Sequence, residues 1–145
     1  MNDNTTLLVY SDGGARGNPG PAASAWLAIW QGKLLHQQAE YLGESTNNLA
    51  EYQALLSALT WLVNNWPDSA KSARFHLDSQ LVVKQLTGEF KVKKAHLRPL
   101  FHQIQQLIEQ LRQQGIQIEI VHIPREENQQ ADSLVNQALD QALQQ

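Results

Sequence analysis

The stretch Leu7-Leu8-Val9-Tyr10-Ser11-Asp12-Gly13-Gly14-Ala15-Arg16-Gly17-Asn18-Pro19-Gly20 sets an apolar run against a glycine-rich one, with a carboxylate at the junction. Leu8, Tyr10 and Asp12 alternate with Leu7, Val9 and Ser11, which is the period of a β-strand. An acid closing such a strand sits where ligands gather in α/β sheets, and the small residues after it let a polyanion approach the backbone closely. The glycines do not form a phosphate-binding P-loop, because no Gly-Lys-Ser/Thr follows them. The segment therefore predicts a strand that ends at Asp12, at the mouth of an open sheet.

Outward from it, Ala22 to Gln31 is apolar on both parities, as a strand covered on both faces would be, and Gln31-Gly32-Lys33 turns the chain. Leu34 to Leu42 is a more polar partner, suited to a sheet edge. After Gly43, Ser45-Thr46-Asn47-Asn48 offers helix caps. Leu49, Tyr52, Leu55, Leu56, Leu59, Leu62 and Val63 then recur at helical spacing until Pro67. Ala73 to Asp78 reads as a strand, followed by a short helix capped by Ser79 and ended by Gly88. Leu97 to Gln114 is helical, Gly115 stops it, Ile116 to Ile123 is a strand closed by Pro124, and a last helix runs from Asn128 to Leu143. The order βββαβααβα predicts an α/β fold, a five-stranded mixed sheet of three antiparallel strands then two parallel ones, with helices on both faces.

The chain has 145 residues and 42% hydrophobic content, which suits a single domain spanning residues 1–145. No stretch is apolar enough to span a bilayer, and Met1 to Thr6 lacks the features of a signal peptide, so a cytoplasmic protein without a membrane partner is expected. The absence of cysteine excludes disulfides, thiolate metal sites and thiol nucleophiles. A metal would have to be held by oxygen or imidazole. A net charge of −3 argues against a general nucleic-acid coat, yet Lys91, Lys93, Lys94, His96 and Arg98 crowd one segment. That group is either a solvated face or a local phosphate-binding patch. Trp26, Trp30, Trp61 and Trp66 read as core or rim packing, His76 and His122 as structural, and His36, His96 and His102 as surface residues.

Three more acids, Glu51, Asp78 and Asp132, lie on or beside apolar patterns. Asp12 and Asp78 emerge at the same sheet edge if their strands are parallel neighbours. Glu51 shares a helix face with Leu55, Ala58 and Leu62. Asp132 lies beside Ala131, ahead of Val135 and Leu139, with Asn128 one turn earlier. Singly, each has a plainer role: turn formers at Asp12 and Asp78, helix-start acids at Glu51 and Asp132. Jointly they predict four converging carboxylates with no Lys or Arg among them, which a divalent magnesium or manganese ion would neutralise. Two such ions suit in-line phosphoryl displacement, and phosphodiester hydrolysis is the natural reaction.

Tyr10 to Gly20, Thr46-Asn47-Asn48-Leu49-Ala50-Glu51, Leu77-Asp78-Ser79-Gln80 and Asn128-Gln129-Gln130-Ala131-Asp132 together resemble the four signature segments of type 1 ribonuclease H, in order and over almost the whole chain. The resemblance implies an endoribonuclease that cuts the RNA strand of RNA/DNA hybrids, leaving 5′-phosphate and 3′-hydroxyl ends. Two Mg2+ ions, which Mn2+ can replace, would be held by the catalytic acids Asp12, Glu51, Asp78 and Asp132, with Asp12 bridging both. It further implies that Asn47, Gln80 and the backbone of Gly13, Gly14 and Ala15 touch ribose hydroxyls and base edges, and that Asn18 and Thr46 hold a DNA phosphate. Asn48 and Asn128 complete the expected substrate set, although Asn47 and Asn48 could equally cap the helix.

Two departures from the family stand out. Gly88 to Leu97 is too short for the basic protrusion of many members, so Lys91, Lys93, Lys94 and Arg98 are its remaining phosphate patch. Where many members carry a mobile histidine, the run Ile123-Pro124-Arg125-Glu126-Glu127 offers Arg125, which can hold a phosphate but cannot act as a base. These changes leave double-stranded RNA open as a further substrate. A monomer is expected. The competing reading is a non-catalytic hybrid- or RNA-binding module on the same scaffold, which predicts a missing metal ligand.

Overall fold

In the computed structural model, which describes residues 4–144, the segment that carries Asp12 is the middle strand of the sheet. The elements are β1 (Thr6–Ala15), β2 (Gly20–Trp30), β3 (Lys33–Ser45), α1 (Asn47–Asn64), β4 (Ser72–Leu77), α2 (Gln80–Leu86), α3 (Arg98–Gln113), β5 (Gln117–His122) and α4 (Gln129–Leu143), with one 3-10 turn at Arg125–Glu127. The sheet order is β3-β2-β1-β4-β5. β1, β2 and β3 pair antiparallel, whereas β4 runs parallel to both β1 and β5. This is the expected ribonuclease H-like topology, and each predicted element is present.

Strand patterning explains the layers. Leu7 and Val9 of β1, Trp26 and Ala28 of β2, and Phe75 and Leu77 of β4 pack with α1, α2 and α3 in the main core. The other face is covered by α4, whose Val135 and Leu139 lie against Ala23 and Ala25. Small residues on β2 let that helix come close. β2 is therefore buried on both parities, while β3, at the sheet edge, is largely exposed. Trp26 is buried and donates its indole N–H to Ser57 Oγ at 3.1 Å; Trp30, Trp61 and Trp66 pack at the rim of the core. His36 lies at the surface as expected but is half-buried, its ring stacked on Trp61 with centroids 4.3 Å apart. His76 is buried as expected, its Nδ1 2.9 Å from the Val9 carbonyl and its ring stacked on Tyr10. Burial holds its pKa below the usual histidine value.

One boundary differs from the sequence reading. β1 does not end at Asp12 but continues through Gly13, Gly14 and Ala15, which pair with Ser24, Ala23 and Ala22 of β2. Gly13 is needed for a contact that local sequence does not announce. A Cβ there would lie 2.2 Å from the Ala50 carbonyl carbon and 2.4 Å from the Glu51 nitrogen, so β1 and α1 touch backbone to backbone. The space read as room for a polyanion is filled at Gly13 by the protein's own helix. At Gly14 a Cβ would meet only Val135 Cγ1, at 3.9 Å.

Replacing Gly13 by Ala must therefore displace α1 or bend β1. Urea denaturation is expected to give a loss of about 3 kcal/mol or more for Gly13→Ala. Gly14→Ala should cost less than about 1 kcal/mol, since its new methyl group finds ordinary contact distance.

Candidate active site

The parallel register of β1 and β4 runs from Thr6↔Ser72 to Tyr10↔His76. Continued for two residues, it sets Asp78 beside Asp12. Glu51 arrives from the second turn of α1, directly above the backbone contact at Gly13. Asp12, Glu51 and Asp78 each bring a carboxylate oxygen into one group, all within 4.8 Å of one another. Asp12 and Glu51 are both only 6% exposed, and Asp12 Oδ1 accepts the Gly13 N–H at 2.9 Å.

Such a group resists full ionisation. Burial, followed by the charge of Asp78, pushes the Asp12 carboxyl up to about 7. Burial, followed by the charge of Asp12, raises Glu51 well above the usual carboxylate range. Both shifts favour the protonated form, so without a cation this pair of neighbouring carboxyls holds a proton more tightly than free ones do. Glu51 Oε2 is fully buried with no hydrogen-bond partner. An unpartnered, buried carboxylate oxygen among other hard oxygen donors is what a magnesium- or manganese-type cation requires, so these residues fit the implied metal.

Asn128 was expected at the substrate, but the structure places it beneath the acids. It is 1% exposed, and its side-chain amide donates to the Ser11 carbonyl at 2.9 Å and to Asp78 Oδ2 at 3.0 Å. The residue thus ties the start of α4 to β1 and fixes the orientation of Asp78. No surface is left on it for a bound duplex.

Asp132 is less central than predicted. It lies outside the group of three, yet its charge bears on Asp12 and it lines the same cavity of about 580 Å³. One cation does approach the acids: Arg125 Nη2 is 3.9 Å from Asp132 Oδ1, on a side chain that is 82% exposed. Arg125, Gly13, Gly14, Ala15 and Asn47 line the cavity. Thr46 is the cap of α1, its Oγ1 accepting from Leu49 N at 3.2 Å. Asn47 does not cap but accepts the Ala15 N–H at 2.8 Å, and its own N–H is received by Asn18 Oδ1 at 3.0 Å. Two of the segments that resemble substrate contacts are thereby locked together at one rim.

Gln80 opens α2, next to Ser79, which lines the cavity and caps that helix. Asn48 faces elsewhere, lining a second depression of about 480 Å³ with Leu81, Phe90, Lys91, Lys93 and Lys94. Arg98 is not a free cation of that patch, because it donates to the carbonyls of Val92 and Lys93 and folds the lysine segment back on α3. Sequence reasoning missed Arg16 and Asn136 as cavity residues. The only signal for Arg16 was its place in the glycine-rich run, and Asn136 was recoverable as the residue four after Asp132.

Comparison with known proteins agrees with this geometry. The family described as reverse transcriptase-like matches residues 10–138. The ribonuclease HI of Halobacterium salinarum is 38% identical over 134 residues, covering 92% of this chain and 64% of that protein. The bifunctional protein Rv2228c of Mycobacterium tuberculosis is 39% identical over 141 residues; these cover 95% of this chain but 36% of the relative, so the chain spans about a third of its length. Among solved structures, LC11-RNase H1 in complex with an RNA/DNA hybrid superposes with a TM-score of 0.86 at 40% identity, covering 94% of this chain and 99% of that one. With its strand order, its acids at the β1–β4 edge and relatives of this kind matched over more than nine-tenths of its own length, the chain belongs to the type 1 ribonuclease H family.

Proposed function

We propose that this chain is an endoribonuclease that hydrolyses the RNA strand of RNA/DNA hybrids with two divalent cations, Mg2+ or in its place Mn2+. The observation that carries the reading is the group of three carboxylates within 4.8 Å, one oxygen of which is buried and unpartnered. The RNA/DNA hybrid bound to LC11-RNase H1 supports the choice of duplex.

In this reading Asp12, Glu51 and Asp78 hold the ions, and Asp132 joins them from the cavity wall. Bound divalent ions supply Lewis-acid activation of water and of the phosphate. The chain supplies the rest. Burial and close spacing keep the acids poised to exchange their proton for a cation. Asn128 holds Asp78 in one orientation, and Arg125 receives a phosphate oxygen at the rim without taking a proton. Asn47, Gln80 and the backbone at Gly14 and Ala15 contact the minor groove, where the 2′-hydroxyl distinguishes RNA from DNA; Gly13, expected among these contacts, is taken up by the seat of α1. Asn18 and Thr46 hold a phosphate of the DNA strand, and Lys91, Lys93 and Lys94 extend the contact to further phosphates. Hydrolysis breaks the bond between phosphorus and O3′. The water oxygen stays on the 5′-phosphate, and a proton ends on the 3′-hydroxyl.

Asp12→Asn and Asp78→Asn are expected to lower cleavage of a labelled RNA/DNA hybrid in Mg2+ by roughly 10³-fold or more. Thermal unfolding in chelator should show no loss for Asp12→Asn, since removing one of two repelling buried charges relieves the fold. Undiminished cleavage would remove the nuclease reading. A parallel RNA/RNA substrate decides whether the cut requires a DNA strand.

The acid cluster also gives stability a pH dependence of known sign. Asp12 has a higher pKa folded, about 7, than unfolded, near 3.9, so the native state binds the proton more tightly. In chelator, its contribution is present at low pH and is lost as pH rises from about 4 to about 7. Differential scanning calorimetry should show this loss in the unaltered chain and less of it in Asp12→Asn. Added Mg2+ should raise the Tm more at pH 8 than at pH 5, because the cation competes with the proton.

A further inference from the structure

Helix α4 carries two stripes at i, i+4, i+8 spacing. Ala131, Val135 and Leu139 are buried against the sheet. One position further along lie Asp132, Asn136 and Asp140, and the first two of these line the cavity of the acids. Each end of this polar stripe receives an arginine from a different connection. Arg125, on the 3-10 turn, approaches Asp132, while Arg16, on the β1–β2 hairpin, donates Nη2 to Asp140 Oδ1 at 2.7 Å and to Asn136 Oδ1 at 3.4 Å.

Stability does not explain the Arg16 contact. Its side chain is 41% exposed and that of Asp140 59%, and ion pairs at such exposure contribute little to folding. The hairpin is already closed by the pairing of Ala15 with Ala22 and by the Arg16 N–H on the Pro21 carbonyl at 2.8 Å. Arg16 nonetheless forms part of the cavity wall, and of its guanidinium nitrogens only Nη2 is engaged among the described residues. A guanidinium tethered by one nitrogen keeps the rest of its donor fork for an anion, with less side-chain freedom left to lose on binding.

We propose that Arg16 is a second phosphate-gripping arginine of this site, positioned by Asp140 and Asn136, and that it holds the duplex backbone away from the reacting phosphate. The proposal rests on the nucleic-acid reading of the cavity. A polyanion entering a site with four carboxylates needs cations that stand apart from those carboxylates. Asp132 and Asp140 are eight residues apart, about 12 Å along the helix. Strand charges recur every ~3.4 Å along a duplex axis, so arginines anchored at these two points serve different phosphates.

The test is fluorescence anisotropy with a labelled RNA/DNA hybrid in Mg2+ from 50 to 200 mM salt, in an Asp78→Asn background that leaves the hybrid uncut. Arg16→Ala is expected to weaken binding roughly 3- to 10-fold and to reduce the slope of log affinity against log salt by about 1. Arg16→Lys should keep the slope while losing part of the affinity, which a simple loss of fold would not do. Unchanged affinity and slope in Arg16→Ala overturn the proposal. Asp140→Asn discriminates positioning from charge: it should weaken binding a few-fold although it removes a negative charge, and the Arg16→Ala/Asp140→Asn pair should bind no worse than Arg16→Ala alone. Tighter binding by Asp140→Asn overturns the positioning role. Cleavage by the unaltered chain is read separately, so an inactive chain counts against the nuclease reading and the binding series against Arg16.

Discussion

The site depends on one contact without side chains: the backbone of α1 at Ala50 and Glu51 resting on Gly13 of β1. Any larger residue at Gly13 would hold the helix off the strand, and Glu51 would no longer reach Asp12. Closeness here is set by the smallest residue available, and the packing of Leu55, Leu59 and Leu62 in the core holds the helix down. The hydrophobic core thus supplies the force that gathers the acids, and the glycine permits the distance.

That force works against electrostatics. Burial and mutual repulsion raise Asp12 and Glu51, which favours their protonated forms, and one Glu51 oxygen is left buried without a partner. Local instability of this kind belongs at a functional site, where a cation can relieve it. Asn128 contributes from below by bonding the strand carbonyl and the Asp78 carboxylate at once. On the outer side, α4 arranges its charges in a stripe that collects arginines from two connections, so that the cavity is acidic at its floor and cationic at its rim.

The element order, the edge position of β3 and the two-sided burial of β2 were legible because they follow from periodicity, which is local. So was the pairing of Asp12 with Asp78, since parallel neighbours set residues at equivalent register positions side by side, and Asp78 follows the last residue of β4. The end of β1 was misjudged because Gly13-Gly14-Ala15 has the composition of a turn, and only the partner strand β2 makes it extended. Asn128 was misassigned for a related reason: an amide next to a metal-binding motif looks the same in sequence whether it faces solvent or the underside of a carboxylate.

The sequence by itself determined the α/β order and the chemistry, because hydrophobic period and residue type are properties of short segments. It named the four acids and, through the missing cysteines, a site of hard oxygen donors. Only the tertiary structure decided their ranks: three carboxylates in one group, a fourth on the wall, an asparagine beneath and a tethered arginine beside them. Those ranks depend on distances between segments as far apart in the chain as Ser11 and Asn128, and such distances are fixed by how helices seat on the sheet.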